Sequence, residues 1–227
     1  MVTRKEIKDP KQRIITECVR LFVQKGFKAT TMQDIIREAD VSSGTFQNIF
    51  RTKDGVLREL IDVMFNNQFG MAHSVTTAEN PVLIYATESA IQLAIVELNE
   101  NLREIYVEAY TQPSLAEYIY QKTSGKLSVF FAAYNPTWEE SDFYESDIGR
   151  AGMMRAYMLR KCDKYFTLRK KIQRFLNMSL KSYSVPNDVI AQTIAALSAV
   201  DIENTAKKVM NDLFAALEVA FGFKFEN

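Results

Sequence analysis

The sequence is poor in the groups that catalysts and metal centres are made from. One histidine, His73, two cysteines and one tryptophan occur in 227 residues. With a lone imidazole, no glycine-rich phosphate loop and no HExxH segment, no acid, base, nucleophile or ligand set is available, so neither an enzyme, a metal site nor an organic cofactor is expected. Cys18 and Cys162 lack CxxC spacing and sit on apolar helical patterns, which reads as buried thiols. No run of about 18 uninterrupted apolar residues is present, and the charged opening MVTRKEIKDPKQR has no apolar block behind it. Neither a membrane span nor a secretory signal is indicated, and a cytoplasmic protein is expected.

Glycine and proline are also scarce, at eight and five residues, and the segments between them repeat near 3.6 rather than 2. Such a chain is expected to be all-α, and its 47% apolar content suffices for a core. Net charge is zero, yet it is unevenly spread. Residues 1–60 hold 12 Lys and Arg against 8 Asp and Glu, and the remainder holds 16 against 20. A basic head on a mildly acidic body fits a nucleic-acid partner at the N-terminus.

The first helix is expected from Pro10 to Lys25, stopped by Gly26, with Ile14, Ile15, Cys18, Val19 and Phe22 inward. Thr30 and Gln33 have capping-box spacing for a second helix that buries Met32, Ile35, Ile36 and Ala39, and Asp40 makes the turn. Ser42 caps a third helix, where Phe46, Ile49 and Phe50 are spaced to hold one face to a core. At about 100° per residue Gly44, Gln47, Asn48 and Arg51 fall opposite, flanked by Ser43 and Thr45. Thr52 caps a fourth helix with Val56, Leu57, Leu60, Ile61 and Met64 inward, running to Phe69. The candidate DNA-contacting residues are Thr31, Ser43, Gly44, Thr45, Gln47, Asn48, Arg51 and Lys53. Amide side chains can read an adenine edge, Arg51 a phosphate or a guanine, and the helix starts near Thr31, Ser43 and Lys53 suit phosphate oxygens.

Gly26, Phe27, Thr30, Thr31, Asp34, Ile35, Ala39, Val41, Ser42, Gly44, Thr45, Phe50, Lys53 and Leu57 together resemble the tetracycline-repressor (TetR) family of bacterial transcription regulators, over about 50 residues. The resemblance implies an N-terminal three-helix DNA-binding head, a helical ligand-binding and dimerising body, and repression relieved by a small molecule. It divides the chain into a head over 1–54 and a body over 55–227. The chain departs from the family where a Tyr-x-Tyr-Phe pattern is usual, having Gln47, Asn48, Ile49 and Phe50. Ser43 replaces a frequent lysine and Asp40 a frequent glycine.

In the body, helices are expected at about 81–98, 102–111, 114–133, 144–162 and 165–183, then through Val189 to Phe221, with a loop over Asn135–Asp142. The apolar surplus around Ile172–Leu180 and Ile190–Phe221 suggests a homodimer through the C-terminal helices. Tyr106, Tyr110, Phe130, Met153, Met154 and Tyr157 are the candidate lining for a small apolar or amphipathic ligand. No charge cluster is evident that would fix the ligand's sign. The rivals are a helical enzyme and an adaptor whose helix-turn-helix binds protein. Steep salt dependence distinguishes DNA binding from both.

Overall fold

Residues 9–62, 64 and 80–225 are described by the computed structural model, and among them there are helices and no strand. The expected run of α4 to Phe69, and the polar break after it up to residue 79, lie outside the described residues. The head contains α1 (Pro10–Lys25), α2 (Met32–Glu38) and α3 (Ser43–Ile49), and α4, which is helical over 53–62, starts at its end and packs against it. The body contains α5 (Pro81–Leu98), α6 (Glu100–Ala109), α7 (Pro113–Phe131), α8 (Glu140–Leu159), α9 (Leu168–Ser182), α10 (Asn187–Leu197) and α11 (Ile202–Phe221). Part of the segment expected as a loop before α8 is helical, because Glu139 and Asp142 close a capping box there. The final helical stretch breaks into α10 and α11 at a short turn capped by Asp201.

Asp9 caps α1 by accepting from the Lys11 amide, Pro10 occupies the first turn, and Gly26 stops the helix at φ 96°. The cap of α2 is one residue later than the sequence suggests. Thr31 and Asp34 form the reciprocal capping box, whereas the Thr30 hydroxyl is buried and donates to the Gly26 carbonyl at 2.7 Å. Thr30 therefore closes the α1–α2 connection from inside. The turn that follows is a Schellman motif. The Asp40 amide reaches Arg37 O, the Val41 amide reaches Ile36 O, and Asp40 itself takes φ 50°. Asp tolerates this left-handed conformation better than a branched residue, which is how the turn forms without the usual glycine.

α1 is the head's central strut. Ile14, Cys18, Val19 and Phe22 meet Ile35, Phe46, Val56, Leu57 and Leu60 in one interior, and Phe22 stacks edge-on against Phe27 at 4.9 Å. Arg20 ties α1 to α2, contacting Glu17 at 2.7 Å and Glu38 at 3.2 Å. Gly55 cannot be larger, because a Cβ there would lie 2.7 Å from Phe50 O. That close approach holds α4 tightly against the end of α3.

α5 is buried on every side. Fourteen of its 18 residues are inside, which explains why it is long and apolar enough to cross a bilayer while 78% of that stretch is covered by its own chain. It packs against α6, α7, α8, α9, α10 and α11, so it is the axis of the body. Contacts of Gly125 with Glu140, of Thr123 with Asp147 and of Thr111, just before α7, with Arg155 progress in opposite directions, so α7 and α8 are antiparallel. Head and body meet where Asn101 of α6 donates to the terminal carbonyls of α1, Val23 O at 2.8 Å and Gln24 O at 3.1 Å. Glu104 accepts from the Lys28 amide, and the Thr16 hydroxyl donates to Phe221 O at the end of α11. Carbonyls orphaned at helix ends are thereby satisfied across the junction.

Candidate functional site

Phe46 fixes the roll of α3. Its ring is fully buried, Phe50 is half-buried beside it, and the opposite side of the helix is turned to solvent. Ser43, Gly44, Gln47 and Asn48 are exposed there, and among the described residues the Ser43, Gln47 and Asn48 side chains engage no intramolecular partner. Thr45 is half-buried, with its hydroxyl 2.9 Å from that of Ser42 and its amide donating to Ser42 Oγ. Two details depart from the simple helical wheel. Ile49, expected inward, is 36% exposed, because α3 ends there and the chain turns away from the core. Arg51 lies beyond the helix at φ 57°, exposed, in the left-handed turn that leads into α4.

Thr31 and Lys53 are engaged locally. The Thr31 amide and hydroxyl both donate to Asp34 Oδ2, at 3.0 and 2.8 Å. Hydrogen bonding from Lys25, then from Thr31, holds the Asp34 carboxyl far below the usual carboxylate range. The Lys53 ammonium donates to Phe27 O at 2.8 Å and Thr30 O at 3.0 Å and sits 4.3 Å from the Phe27 ring centroid. It braces α4 to the α1–α2 connection. Much of the head's positive charge is similarly engaged: Arg20 and Lys25 in ion pairs, Arg37 bridging Asp34 and Glu38, and Lys11 against Glu59.

A second polar site lies inside the body. Along α5, Tyr85, Glu88, Ser89 and Gln92 recur at helical spacing on one face, opposite Thr123, Lys126, Leu127 and Phe130 of α7 and Arg150 of α8. With Tyr110 these enclose a cavity of about 40 Å³. Of the six residues expected to line a ligand site, Tyr110 and Phe130 line this cavity. Tyr106 and Met154 are buried elsewhere in the core, and Met153 and Tyr157 pack on its periphery. The absence of a charge cluster is also corrected. Asp147, fully buried, accepts from Arg150 Nε and from the Thr123 hydroxyl, and Glu88 and Lys126 face the same cavity. Sequence spacing alone hides this set, because single polar residues on apolar helices converge only once α5, α7 and α8 are packed. The one available signal was the polar run Thr87, Glu88, Ser89 in the middle of α5.

Burial pushes the Glu88 carboxyl up to about 8, against the attraction of Lys126 and Arg150. The folded protein then keeps a proton that the unfolded chain gives up near the ordinary value of 4.5. Stability tied to this group is complete below that value and is lost as pH rises toward 8. Between pH 5 and 8 the melting temperature is expected to fall by several degrees, and Glu88→Gln, which stays neutral, should flatten that slope. Parallel melting profiles for parent and variant would show that Glu88 titrates normally.

α7 links this cavity to the head. Its Tyr118 hydroxyl and Lys122 ammonium both donate to Asp62 of α4, and Arg58 of α4 lies 4.3 Å from the Tyr118 ring centroid. Burial raises the Asp62 carboxyl, and the bonds from Lys122 and Tyr118 outweigh that to leave it lowered. The cavity wall and α4 are therefore joined through one helix.

Residues 14–60 match the family described as bacterial regulatory proteins, tetR family. Three proteins of Bacillus subtilis (strain 168) are similar to parts of the chain. The uncharacterized HTH-type transcriptional regulator YerO is 45% identical over 49 residues, covering 22% of this chain and 17% of that protein. The uncharacterized HTH-type transcriptional regulator YuxN is 26% identical over 99 residues, 43% of this chain and 32% of its own length. The probable HTH-type transcriptional regulator YttP is 28% identical over 108 residues, 46% and 51% of the two chains. The matched region thus spans about half the length of these relatives or less. No solved structure matches the chain. With the matched segment coinciding with α1–α4, with Phe46 buried and the polar side of α3 facing outward, residues 14–60 form a head of the kind found in the tetR family of bacterial regulatory proteins.

Proposed function

We propose that the protein is a sequence-specific DNA-binding transcriptional regulator, a repressor, whose head over 1–54 reads an operator and whose body over 55–227 binds a small-molecule effector. The observation that carries this reading is the outward face of α3. Ser43, Gln47, Asn48 and Arg51 are exposed on an element clamped to the core by Phe46, which suits a recognition helix in a major groove. Gly44 lets the backbone approach the duplex, and Thr31, Thr45 and Lys53 flank the contact. Lys53 serves by fixing α4 while adding positive charge. The names of YuxN and YttP as HTH-type transcriptional regulators support the same function over catalysis.

A single head with so many paired cations binds weakly, so two-fold pairing of heads about 34–36 Å apart is part of the proposal. The apolar residues expected to pair the protomers face inward: Ile172, Phe175, Leu176 and Leu180 of α9 and Val209, Leu213 and Leu217 of α11 are buried within their own chain. Better support for a dimer comes from the outer faces of α8 and α9. Ile148 and Met178 are 43% and 49% exposed, and Gly149 and Gly152 face open space on α8. We place the protein in the cytoplasm, where its DNA would be.

Fluorescence anisotropy on DNA from immediately upstream of the gene tests the reading. Binding should be half-site-paired, and its affinity should fall linearly in log–log form with salt, as counterion release requires. Failure to bind any upstream fragment at low salt, or affinity independent of salt, would overturn it.

A further inference from the structure

The interior cavity between α5, α7 and α8 has a definite chemical bias, and the inference drawn from it rests on the effector-binding role proposed for the body. Arg150 is 6% exposed and commits Nε to Asp147, with the Tyr183 hydroxyl beside its guanidinium. Tyr85 is 4% exposed, and its hydroxyl has no partner although it is buried. Arg150, Ser179, Asp147 and Ser89 are the neighbours of that hydroxyl, and of these Ser89 and Arg150 line the cavity with Tyr85. A buried hydroxyl without a partner is costly, and a guanidinium beside it, with five N–H donors of which Asp147 takes one, can share an acceptor with it. Asp147 balances one positive charge, and Lys126 brings another to the rim opposite Glu88. The remaining wall, Leu127 and Phe130, is apolar.

We propose that this cavity receives a short organic carboxylate, whose oxygens accept hydrogen bonds from Arg150 and Tyr85 while its alkyl part lies against Leu127 and Phe130. The volume of about 40 Å³ holds roughly three water-sized groups, so the ligand is of acetate-to-butyrate size. A carboxylate suits the donors better than an alcohol because it accepts a forked pair of bonds from a guanidinium. An amine would be repelled by Arg150 and Lys126. Seating the anion would also draw α7 and α8 together across the cavity, and α7 carries the Tyr118 and Lys122 contacts to Asp62 of α4.

The test is a thermal-shift and calorimetric titration of the full chain with acetate, propionate, butyrate and hexanoate, against propanol, propylamine and inorganic phosphate at matched ionic strength. Propionate or butyrate should bind, hexanoate should bind more weakly, and the other probes should not. Tyr85→Phe removes only the unpartnered hydroxyl, so it should melt at or above the parent temperature and yet bind propionate about tenfold more weakly. Arg150→Lys, which retains charge and loses the fork, should weaken propionate further. Preference for propylamine, phosphate binding as tight as propionate, no binding by any carboxylate, or unchanged propionate affinity in Tyr85→Phe would each overturn the proposal. Operator affinity is read separately. Propionate that binds with these preferences but leaves DNA affinity unchanged upholds the ligand class and overturns the effector role.

Discussion

Replacing Gln47 and Asn48 together by alanine is expected to abolish operator preference while leaving the protein as stable as before. Both side chains are exposed and engage no polar partner among the described residues, so their removal exposes no cavity and orphans no partner there. Alanine is also the better helix former, which offsets any small loss. On DNA the effect is large, because a well-placed amide contact to a base contributes about 1–3 kcal/mol of discrimination, and two together amount to at least about thirtyfold. Non-specific affinity should change little, and so should its salt slope, since phosphate contacts come from other groups. The measurement is anisotropy on operator and scrambled DNA at several salt concentrations. If the double variant retains the parent's ratio between those two DNAs, α3 does not read bases through this face.

The contrast between these residues and their neighbours explains how much of the head could be read from sequence. Phe46 and the cap at Ser42 follow from local rules, since periodicity and a side chain that accepts an amide are properties of a few adjacent residues. Thr30 shows the limit. Thr30 with Gln33 and Thr31 with Asp34 both have cap spacing, and Asp34 wins because Lys25, brought close by the α1–α2 packing, holds its carboxylate in place at 2.6 Å. Lys53 depends in the same way on partners distant in sequence, the carbonyls of Phe27 and Thr30, and Arg51 leaves the helical wheel because α3 ends before it in a left-handed turn. In the body, helix spans were legible within a few residues, but which polar residues would face each other was not. Tyr85, Lys126 and Arg150 come from three helices, and nothing local to any of them marks the convergence. The apolar content of α9 and α11 has two possible uses for a related reason. A stripe broader than one contact requires can serve a second copy or a central helix, and here α5, apolar on all sides, takes most of it.

That burial around α5 also isolates charge, and the largest expected loss of stability follows from it. Lys171 of α9 is completely buried, and its ammonium donates to Glu97 of α5 at 2.6 Å and to the Arg160 carbonyl. Glu97 also takes Arg103 at 3.1 Å and the Cys162 amide at 3.1 Å, so one carboxylate joins α5, α6, α9 and the α8–α9 connection. Burial raises the Glu97 carboxyl, but the bonds from Lys171 and Cys162 and the charges of Lys171 and Arg103 leave it below its ordinary value. The stability it supplies is present above that ordinary value and is lost as acid protonates it. Glu97→Gln should cost about 3–5 kcal/mol, because it leaves a buried ammonium opposed only by a carbonyl. For a chain of this size that corresponds to a fall in melting temperature of roughly 10 °C. Lys171→Met should cost much less, since Glu97 keeps Arg103 and the Cys162 amide while the methionine fills the space apolarly. Adding Lys171→Met to Glu97→Gln should therefore recover part of the loss, a coupling that a double-mutant cycle measures directly. A Glu97→Gln melting temperature within a degree or two of the parent would show that water or local rearrangement solvates Lys171, and that the α5–α9 contact rests on its apolar residues alone.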